Sequence, residues 1–299
     1  MTRTCLELCA GCGGMSCGMR DAGFAHVLLV ERDLRCVSTL LRNGWGDAVR
    51  HADVSEVDFR PYAGAVDVVC GGVPCQPFSG AGKLQGKDDV RNLFDEAVRC
   101  VDEVRPKGFL FENVTGFLRP RFAAYRTRVI AQLTALGYHV HVHKTYAVDF
   151  GVPQKRVRCM LVGVVNTAAP MVPPAPTVDA PVPLRAVLER LGPPTGDDGH
   201  AVHPTPPKIY RFHTPSTLDK PAKTLLAGTG GPGGGNGAVQ LDDGTVRYLT
   251  VREMASVQGF ESTYKVHPTW TVSIKQLGNA APPPMVREWA RALAQSLPT

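Results

Sequence analysis

No stretch of this 299-residue chain approaches the ~18 consecutive apolar residues that a membrane-spanning helix needs. Residues 1–20 also lack the basic and then apolar pattern of a secretory signal peptide. The chain contains no internal repeat, which argues against a solenoid. These absences leave a globular protein that we expect to remain in the cytoplasm.

Regular cysteine spacing and strong charge are absent as well. The nine cysteines cluster early and do not have the spacing of a small secreted disulfide scaffold. We therefore expect free thiols in a reducing compartment. The net charge is only +6, from 33 Lys and Arg against 27 Asp and Glu, which permits a nucleic-acid partner without requiring one.

Apolar strands alternate with amphipathic helices over the first half of the chain. The segments "TRTCLELCAG", "AHVLLVE", "AVDVVCGG" and "GFLFEN" are typical of buried strands, and helical periodicity as in "NLFDEAVRCVDEV" separates them. This alternation predicts an α/β fold with a doubly wound, mostly parallel, Rossmann-like sheet. Such sheets bind ligands beyond the carboxyl ends of their strands.

The pattern changes near residue 166. Residues 166–183 are proline-rich, the chain is poor in periodicity to about residue 245, and residues 228–237 read "GTGGPGGGNG". We predict a large domain of residues 1–165 and 275–299 and a smaller, irregular domain of residues 166–274. The last segment, "PPPMVREWARALAQSL", is an amphipathic helix opened by prolines.

The turn "LCAGCGGM" lies between a predicted strand and a predicted helix. Gly11, Gly13 and Gly14 there would let backbone N–H groups approach a nucleotide-like ligand. Glu31 ends the next strand, where a carboxylate can bind ribose hydroxyls, and Asp53 could accept a hydrogen bond from an adenine amino group. A tight turn without a ligand is the simpler interpretation of the glycines alone.

The same turn also resembles an iron–sulfur motif. Cys5, Cys9 and Cys12 have the C-x3-C-x2-C spacing of radical S-adenosylmethionine (SAM) enzymes. A cluster would need all three on an accessible loop, whereas Cys5 and Cys9 fall inside the apolar strand. We therefore interpret them as small buried thiols.

The stretch "GGVPCQPFSGAGK" places a cysteine between two prolines directly after a buried strand. Cys75 would be held rigidly where a nucleophile belongs, although a structural cysteine in a stiff loop is the alternative. Glu112 ends a neighbouring strand and could face Cys75 across a small pocket. In "VPQKRVR", Arg156 and Arg158 are spaced to point the same way on an extended segment.

In this order, the motifs resemble those of the DNA (cytosine-5) methyltransferases. "CAGCGG" is similar to the cofactor turn of that family, "PCQPFSGAGK" to its catalytic loop, "ENV" to its acid motif and "QKRVR" to its arginine motif. "RYLTVREMASVQGF" and "GNAAPPP" resemble its two C-terminal motifs. The resemblance implies a SAM-dependent methyltransferase sheet and a target-recognition domain.

The resemblance also implies the reaction. The Cys75 thiolate would attack C6 of a flipped-out cytosine, Glu112 would contact N3, and Arg156 and Arg158 would orient O2 and restrain the loop. A methyl group would then pass from SAM to C5, without a metal. The implied setting is a monomer acting on double-stranded DNA, for example beside a cognate restriction endonuclease in a restriction–modification system.

Further residues are assigned by the same resemblance. The expected cofactor contacts are Cys9, Ala10, Gly11, Gly13, Gly14, Glu31, Arg32, Asp53, Val54, Pro74, Leu93, Asn279 and Ala280. The expected DNA contacts are Gln76, Ser79, Lys83, Lys87, Arg91, Arg211, His213, Thr224 and Arg247. Cys9 stands where the family usually has Phe, and Arg32 where an apolar neighbour of adenine is common, so a stacked guanidinium could replace that neighbour.

Two other functions remain open at this point. A branch of the same family methylates transfer RNA, although the form "PCQPFS" favours DNA. A non-catalytic DNA-binding protein could retain the same fold, but the presence of Cys75, Glu112, Arg156 and Arg158 argues against that.

Overall fold

The computed structural model describes residues 2–73, 93–166, 171–196, 199–207, 214–227 and 237–298. Within them, one sheet has the strand order β3-β2-β1-β4-β5-β7-β6. Strand β7 is antiparallel to both of its neighbours, and the other pairs are parallel, which confirms the predicted α/β fold. The strands are β1 (Arg3–Leu8), β2 (Phe24–Glu31), β3 (Val49–His51), β4 (Val68–Gly71), β5 (Gly108–Val114), β6 (Tyr138–Tyr146) and β7 (Val157–Val165).

Helices cover both faces of this sheet, which is why its central strands are mostly apolar, unlike the edge strands β3 and β6. On one face, Leu6 and Phe109 pack in a core with residues of α3 and α4. On the other face, Val68 and Leu110 pack against residues of α1 and α8 such as Met15 and Trp289. These helices and α2 span α1 (Gly14–Asp21), α2 (Leu34–Arg42), α3 (Phe94–Val104), α4 (Ala123–Ala135) and α8 (Pro283–Ser296).

A second, smaller sheet forms in the region predicted to be irregular. It contains β8 (Ser216–Thr217), β9 (Ala238–Gln240) and β10 (Val246–Tyr248), in the order β10-β9-β8. Helices α5 (Leu184–Leu191), α6 (Val251–Val257) and α7 (Trp270–Asn279) accompany it. Helix α5 was not predicted, although Leu184, Val187, Leu188 and Leu191 recur at helical spacing between Pro183 and Gly192.

A third core connects the small sheet to the large one. Leu225, Val239 and Leu277 pack in one cluster with Leu29 and Leu40 of the large domain. The predicted domain boundary at residues 274 and 275 falls inside α7, which contributes to this shared core. The division into two domains therefore stays a prediction, with α7 at the junction.

The order of the strands positions the candidate site. From β1 the chain winds outward through β2 to β3, and it then returns to build β4 and β5 on the other side of β1. The loops after β1 and β4 therefore lead away from each other, and a crevice opens between them at the carboxyl edge of the sheet. None of the helices in the described ranges is long and apolar enough to cross a membrane.

Candidate active site

The turn after β1 contains three residues in the left-handed region of backbone space. Cys9 has a φ of 54°, Gly11 of 58° and Gly13 of 86°. The Gly13 N–H donates a hydrogen bond to Ala10 O at 3.0 Å, which closes the turn before α1 begins. Glycine tolerates these angles without strain, which explains why glycine occupies two of the three positions.

Glu31 holds this turn from the end of β2. Its Oε2 accepts a hydrogen bond from Gly11 N at 2.7 Å, and its Oε1 accepts from Arg32 N at 2.8 Å and Asp33 N at 2.7 Å. A carboxylate has about four acceptor sites, so capacity remains for a hydroxyl group. Glu31 therefore fixes the turn and can still bind a ligand.

The two sides of the turn differ in the space they leave. A methyl group placed on Gly11 would meet only Cys9 O, at 4.0 Å, whereas one placed on Gly13 would overlap the Tyr264 hydroxyl. That hydroxyl donates a hydrogen bond to Cys12 O at 2.6 Å, so Tyr264 closes the turn from behind. The open side of Gly11, beside the Glu31 carboxylate, fits the sugar of a nucleoside such as that in SAM.

Asp53 and Arg32 form a polar pair next to Glu31. Asp53 Oδ1 accepts hydrogen bonds from the amide of Ser55 at 3.1 Å and its hydroxyl at 2.8 Å, and Oδ2 accepts from Arg32 Nη1 at 2.7 Å. The Ser55 groups first, and then Arg32, hold the pKa of the Asp53 carboxyl below its usual value. The carboxylate therefore stays ionised and able to accept further hydrogen bonds.

The remaining cofactor candidates occupy different surroundings. Val54 and Ala280 are buried, Leu93 is half-buried at the start of α3, and Asn279 is exposed at the end of α7. Ala10 is buried beside the turn, and the Ala281 carbonyl leaves no room for a side chain at Gly14. The C-terminal motif thus packs against the cofactor turn.

The three cysteines with the C-x3-C-x2-C spacing do not converge, and Cys9 lies just beyond β1 rather than inside the strand as expected. Cys5 packs in the core beneath α1 and α8, Cys12 packs in the third core, and Cys9 borders the core of the opposite face. Burial first, and then Glu31 and Asp53, raises the pKa of the Cys9 thiol far above its usual range. Within the described part of the chain, these three cysteines form no ligand group for a metal, which favours the buried-thiol interpretation.

An ion pair occupies the carboxyl end of β5. Arg158 Nε lies 2.7 Å from Glu112 Oε1, and the side chains are 12% and 8% exposed. The N–H of Arg158 is not aligned with Oε1, which therefore makes no hydrogen bond within the described residues. Arg158 therefore compensates the charge of Glu112 without donating a hydrogen bond to Oε1.

The same edge leads into the predicted catalytic loop. Glu112 Oε2 lies 3.8 Å from the position that a methyl group on Gly72 would occupy, and Asn113 Nδ2 donates to Val73 O at 3.0 Å. The ends of β4 and β5 are therefore joined just before residue 74. Nine predicted site residues lie outside the described residues: Pro74, Cys75, Gln76, Ser79, Lys83, Lys87, Arg91, Arg211 and His213.

Arg156 has partners entirely different from those of Arg158. It is 1% exposed, and it donates hydrogen bonds to Leu225 O at 3.1 Å and to Gly278 O and Ala280 O, both at 2.9 Å. Burial first, and then Arg158, lowers the pKa of Arg156 well below its usual range. Arg156 therefore ties the start of β7 to the end of α7 and to the segment that contains Leu225.

Two glutamines that the sequence did not single out complete this junction. Gln154 Nε2 donates to Gln258 Oε1 at 2.7 Å, and Gln154 Oε1 accepts from Leu225 N at 3.0 Å. Gln258 Nε2 in turn donates to Ala280 O at 2.5 Å. Both glutamines lie inside motifs already recognised, "QKRVR" and "SVQGF", but nothing local in the sequence indicates that they meet.

Two of the predicted DNA contacts are engaged within the protein. The Thr224 hydroxyl donates to Lys155 O at 2.6 Å. Arg247 forms a bidentate pair with Glu253, with Nη1–Oε2 and Nη2–Oε1 distances of 2.7 Å, and Glu253 is fully buried. Their roles toward DNA stay predictions, and in this structure both stabilise the smaller sheet and its junction.

Comparison with known proteins gives a consistent result. The chain matches the family described as C-5 cytosine-specific DNA methylase over residues 3–191 and 202–295. The Type II methyltransferase M.NgoMIV of Neisseria gonorrhoeae is 35% identical over 311 residues, 99% of each chain. M.NaeI of Lentzea aerocolonigenes is 43% identical over 180 residues, 59% of this chain and 43% of that one. The methyltransferase EhMeth of Entamoeba histolytica shares the fold, with a TM-score of 0.78 at 14% identity over 99% of this chain and 98% of that chain.

Proposed function

The chain belongs to the family of C-5 cytosine-specific DNA methylases, and we propose that it methylates C5 of a cytosine in a specific duplex sequence, with SAM as the methyl donor. The proposal includes a covalent bond between Cys75 and C6 of a cytosine rotated out of the helix. Extrusion of the base costs a few kcal/mol, which contacts in the pocket and grooves must offset.

The residues around the turn after β1 would hold the cofactor. The open side of Gly11 suits the ribose, whose hydroxyls can donate to Glu31, and Asp53 suits the adenine amino group. Arg32 is 74% exposed next to Asp53, so its guanidinium can stack on the adenine ring. When bound, SAM supplies an electrophilic methyl group.

Cys75 and Glu112 would carry the chemistry on the base. Addition of the Cys75 thiolate to C6 pushes electron density toward N3 and makes C5 nucleophilic. Glu112 beside N3 would hold a proton there, so that negative charge does not accumulate in the ring. After methylation, loss of the C5 proton and elimination release Cys75.

The buried pair of Glu112 and Arg158 is the observation that carries this proposal. Glu112 Oε2 lies 3.8 Å from the position that a methyl group on Gly72 would occupy, three residues before Cys75, and Oε1 is paired with Arg158. Arg158 can keep Glu112 oriented and, through its remaining donors, reach O2 of the base. Arg156 would act indirectly, by fixing the position of the segment that precedes Arg158.

The cellular setting is part of the same proposal. The names of M.NgoMIV and M.NaeI mark them as Type II methyltransferases, which supports a role in restriction–modification. We expect a monomer that works on double-stranded DNA beside a cognate endonuclease, without a metal in the reaction.

The direct test is methyl transfer from labelled SAM to mixed-sequence duplex DNA and, in parallel, to total transfer RNA. We expect label in DNA as 5-methylcytosine and none in RNA, and we expect Cys75→Ser to abolish it. Label in RNA alone would replace the DNA substrate with the RNA branch of the family. SAM binding without label in either would indicate a non-catalytic protein with this fold.

A further inference from the structure

Two thiols and an imidazole converge inside the large sheet, away from the candidate active site. The ligand atoms of Cys5, His26 and Cys70 all lie within 4.8 Å of one another. Cys5 and Cys70 are fully buried, and the His26 side chain is 2% exposed. The three residues come from β1, β2 and β4, on the face covered by α1 and α8.

The strand register explains the convergence. Cys5 pairs with His26 across β1 and β2, and Glu7 pairs with Cys70 across β1 and β4. Cys5 and Glu7 are two residues apart, so both point to the same face of the sheet. A bulge follows the Cys5 and His26 pair, because Leu6 pairs with Leu28 and leaves Val27 unpaired. The bulge allows His26 and Leu28 to face opposite cores.

The hydrogen bonds of His26 favour a ligand role. Its Nε2 lies 3.0 Å from Glu7 Oε2, and Glu7 is fully buried. Its Nδ1 is buried without a well-formed hydrogen bond among the described residues, and the Cys70 thiol lies beside the ring. Metal-binding histidines typically donate their other N–H to a carboxylate, which fixes the tautomer and leaves one nitrogen free to coordinate. His26 and Glu7 have this arrangement.

A disulfide between the two cysteines does not fit the same register. Cys5 and Cys70 are offset by two residues on neighbouring strands. A strand spacing of about 4.8 Å and a rise of about 6.6 Å over two residues put their Cα atoms about 8 Å apart. Disulfides need Cα separations below about 7 Å. Both thiols are free in the structure and remain available as ligands.

We propose that Cys5, Cys70 and His26 bind one Zn²⁺ ion through three protein ligands, with Glu7 orienting the imidazole. The two thiols lose their protons to solvent as the two zinc–sulfur bonds form, and any proton on His26 Nδ1 is likewise released as the zinc–nitrogen bond forms. Zinc–sulfur distances of about 2.3 Å correspond to a sulfur–sulfur separation of about 3.8 Å, which is compatible with the observed cluster. The ion would connect three central strands beneath the cofactor turn.

This site is independent of the catalytic proposal and departs from the sequence-based expectation of a metal-free protein. The side chains of Cys5 and Cys70 face the core beneath α1 and α8, whereas Glu112 and Arg158 meet at the carboxyl end of β5. Because the cluster is buried, the ion would enter while the chain folds. A metal measurement therefore tests the site whether or not the protein methylates DNA.

The test starts with the full-length protein, expressed with added zinc and then with added cobalt, and dialysed. We expect one zinc per chain by elemental mass spectrometry and, for the cobalt form, a sulfur-to-cobalt charge-transfer band. Cys70→Ala and His26→Gln should lose most of the bound ion, and Glu7→Gln should bind it about 10–100-fold more weakly. Cys100→Ala is the matched control, because it removes a fully buried thiol from the core of the opposite face.

A wild-type protein with far less than one ion per chain and no charge-transfer band would overturn the proposal. The cluster would then be a buried His26–Glu7 pair beside two neutral thiols. Equal metal content in Cys70→Ala and Cys100→Ala would overturn it as well. If the ligand variants do not fold, X-ray absorption of the wild-type zinc form decides, since this site predicts two sulfur neighbours at about 2.3 Å and one nitrogen neighbour at about 2.0 Å.

Discussion

Arg158 Nε and Glu112 Oε1 are 2.7 Å apart at the end of β5, in a setting almost closed to solvent. Each side chain compensates the charge of the other, because both are too deeply buried for water to do so. Replacing one partner would leave the other charge buried and unpaired, at a cost of about 3–5 kcal/mol. Variants here must therefore be tested for stability as well as for activity.

Glu112→Gln should abolish most of the methyl transfer while SAM binding persists. The amide keeps the size of the carboxylate but cannot hold a proton at N3, and general acid–base contributions of this kind are worth roughly 10²–10⁴-fold. The measurement is single-turnover methylation together with SAM binding by calorimetry. Glu189→Gln, at an exposed position on α5, is the control. Wild-type rates in Glu112→Gln would remove Glu112 from the chemistry.

Arg156→Met should destabilise the protein by on the order of 3 kcal/mol, because three carbonyl oxygens lose a charged donor. The free energy of unfolding in urea measures the effect, and Arg50→Met at an exposed position is the control. A stable Arg156→Met variant with impaired catalysis would instead indicate a direct contact with the base.

Gly11→Ala should weaken SAM binding much more than it lowers stability. Its φ of 58° strains an alanine by about 1–2 kcal/mol, and the added methyl group enters the open side of the turn. Gly64→Ala is a matched control, since Gly64 has a φ of 75° and open space around it. Similar unfolding free energies with unequal SAM affinity would support the cofactor position, and equal affinity would contradict it.

Gly13→Ala should destabilise the fold beyond Gly64→Ala, because its methyl group overlaps the Tyr264 hydroxyl in addition to straining the backbone. Removing that hydroxyl in the double variant with Tyr264→Phe should recover part of the loss. Thermal unfolding of the single and double variants measures this coupling. Purely additive effects on thermal unfolding would show that the Tyr264 hydroxyl does not restrict the side chain at position 13.

Arg247→Met should cost about 3–5 kcal/mol of stability, because it leaves buried Glu253 without its partner. Adding Glu253→Gln should restore much of this stability, and the double variant should bind DNA like the wild type. The sequence-based expectation of a base contact predicts the opposite, a loss of DNA affinity in a stable double variant. Fluorescence anisotropy with duplex DNA distinguishes the two.

Local patterns predicted much of this molecule correctly. The alternation of strands and helices was confirmed, since periodicity reports which side of each element is buried. The family resemblance was confirmed by matches over residues 3–191 and 202–295. The roles of Cys75 and of the loop that follows it stay predictions, because they lie outside the described residues.

The pair Arg156 and Arg158 shows where local patterns fail. A spacing of two residues predicts a shared direction only on a regular strand. Arg156 instead precedes β7, where Arg156 N donates to Gln154 O at 2.7 Å, and this tight turn redirects the chain. One arginine therefore meets Glu112 while the other meets carbonyls 69 to 124 residues away.

The sequence by itself determined the fold class and the family, because those depend on periodicity and on short motifs whose residues are neighbours in the chain. The tertiary structure alone decided which buried polar groups meet. It joined Gln154 to Gln258, Arg247 to Glu253, and His26 to Glu7 beside two thiols. The physical reason is that a buried charge or amide must find its partner in whatever element packs against it, and that packing is a property of the whole chain.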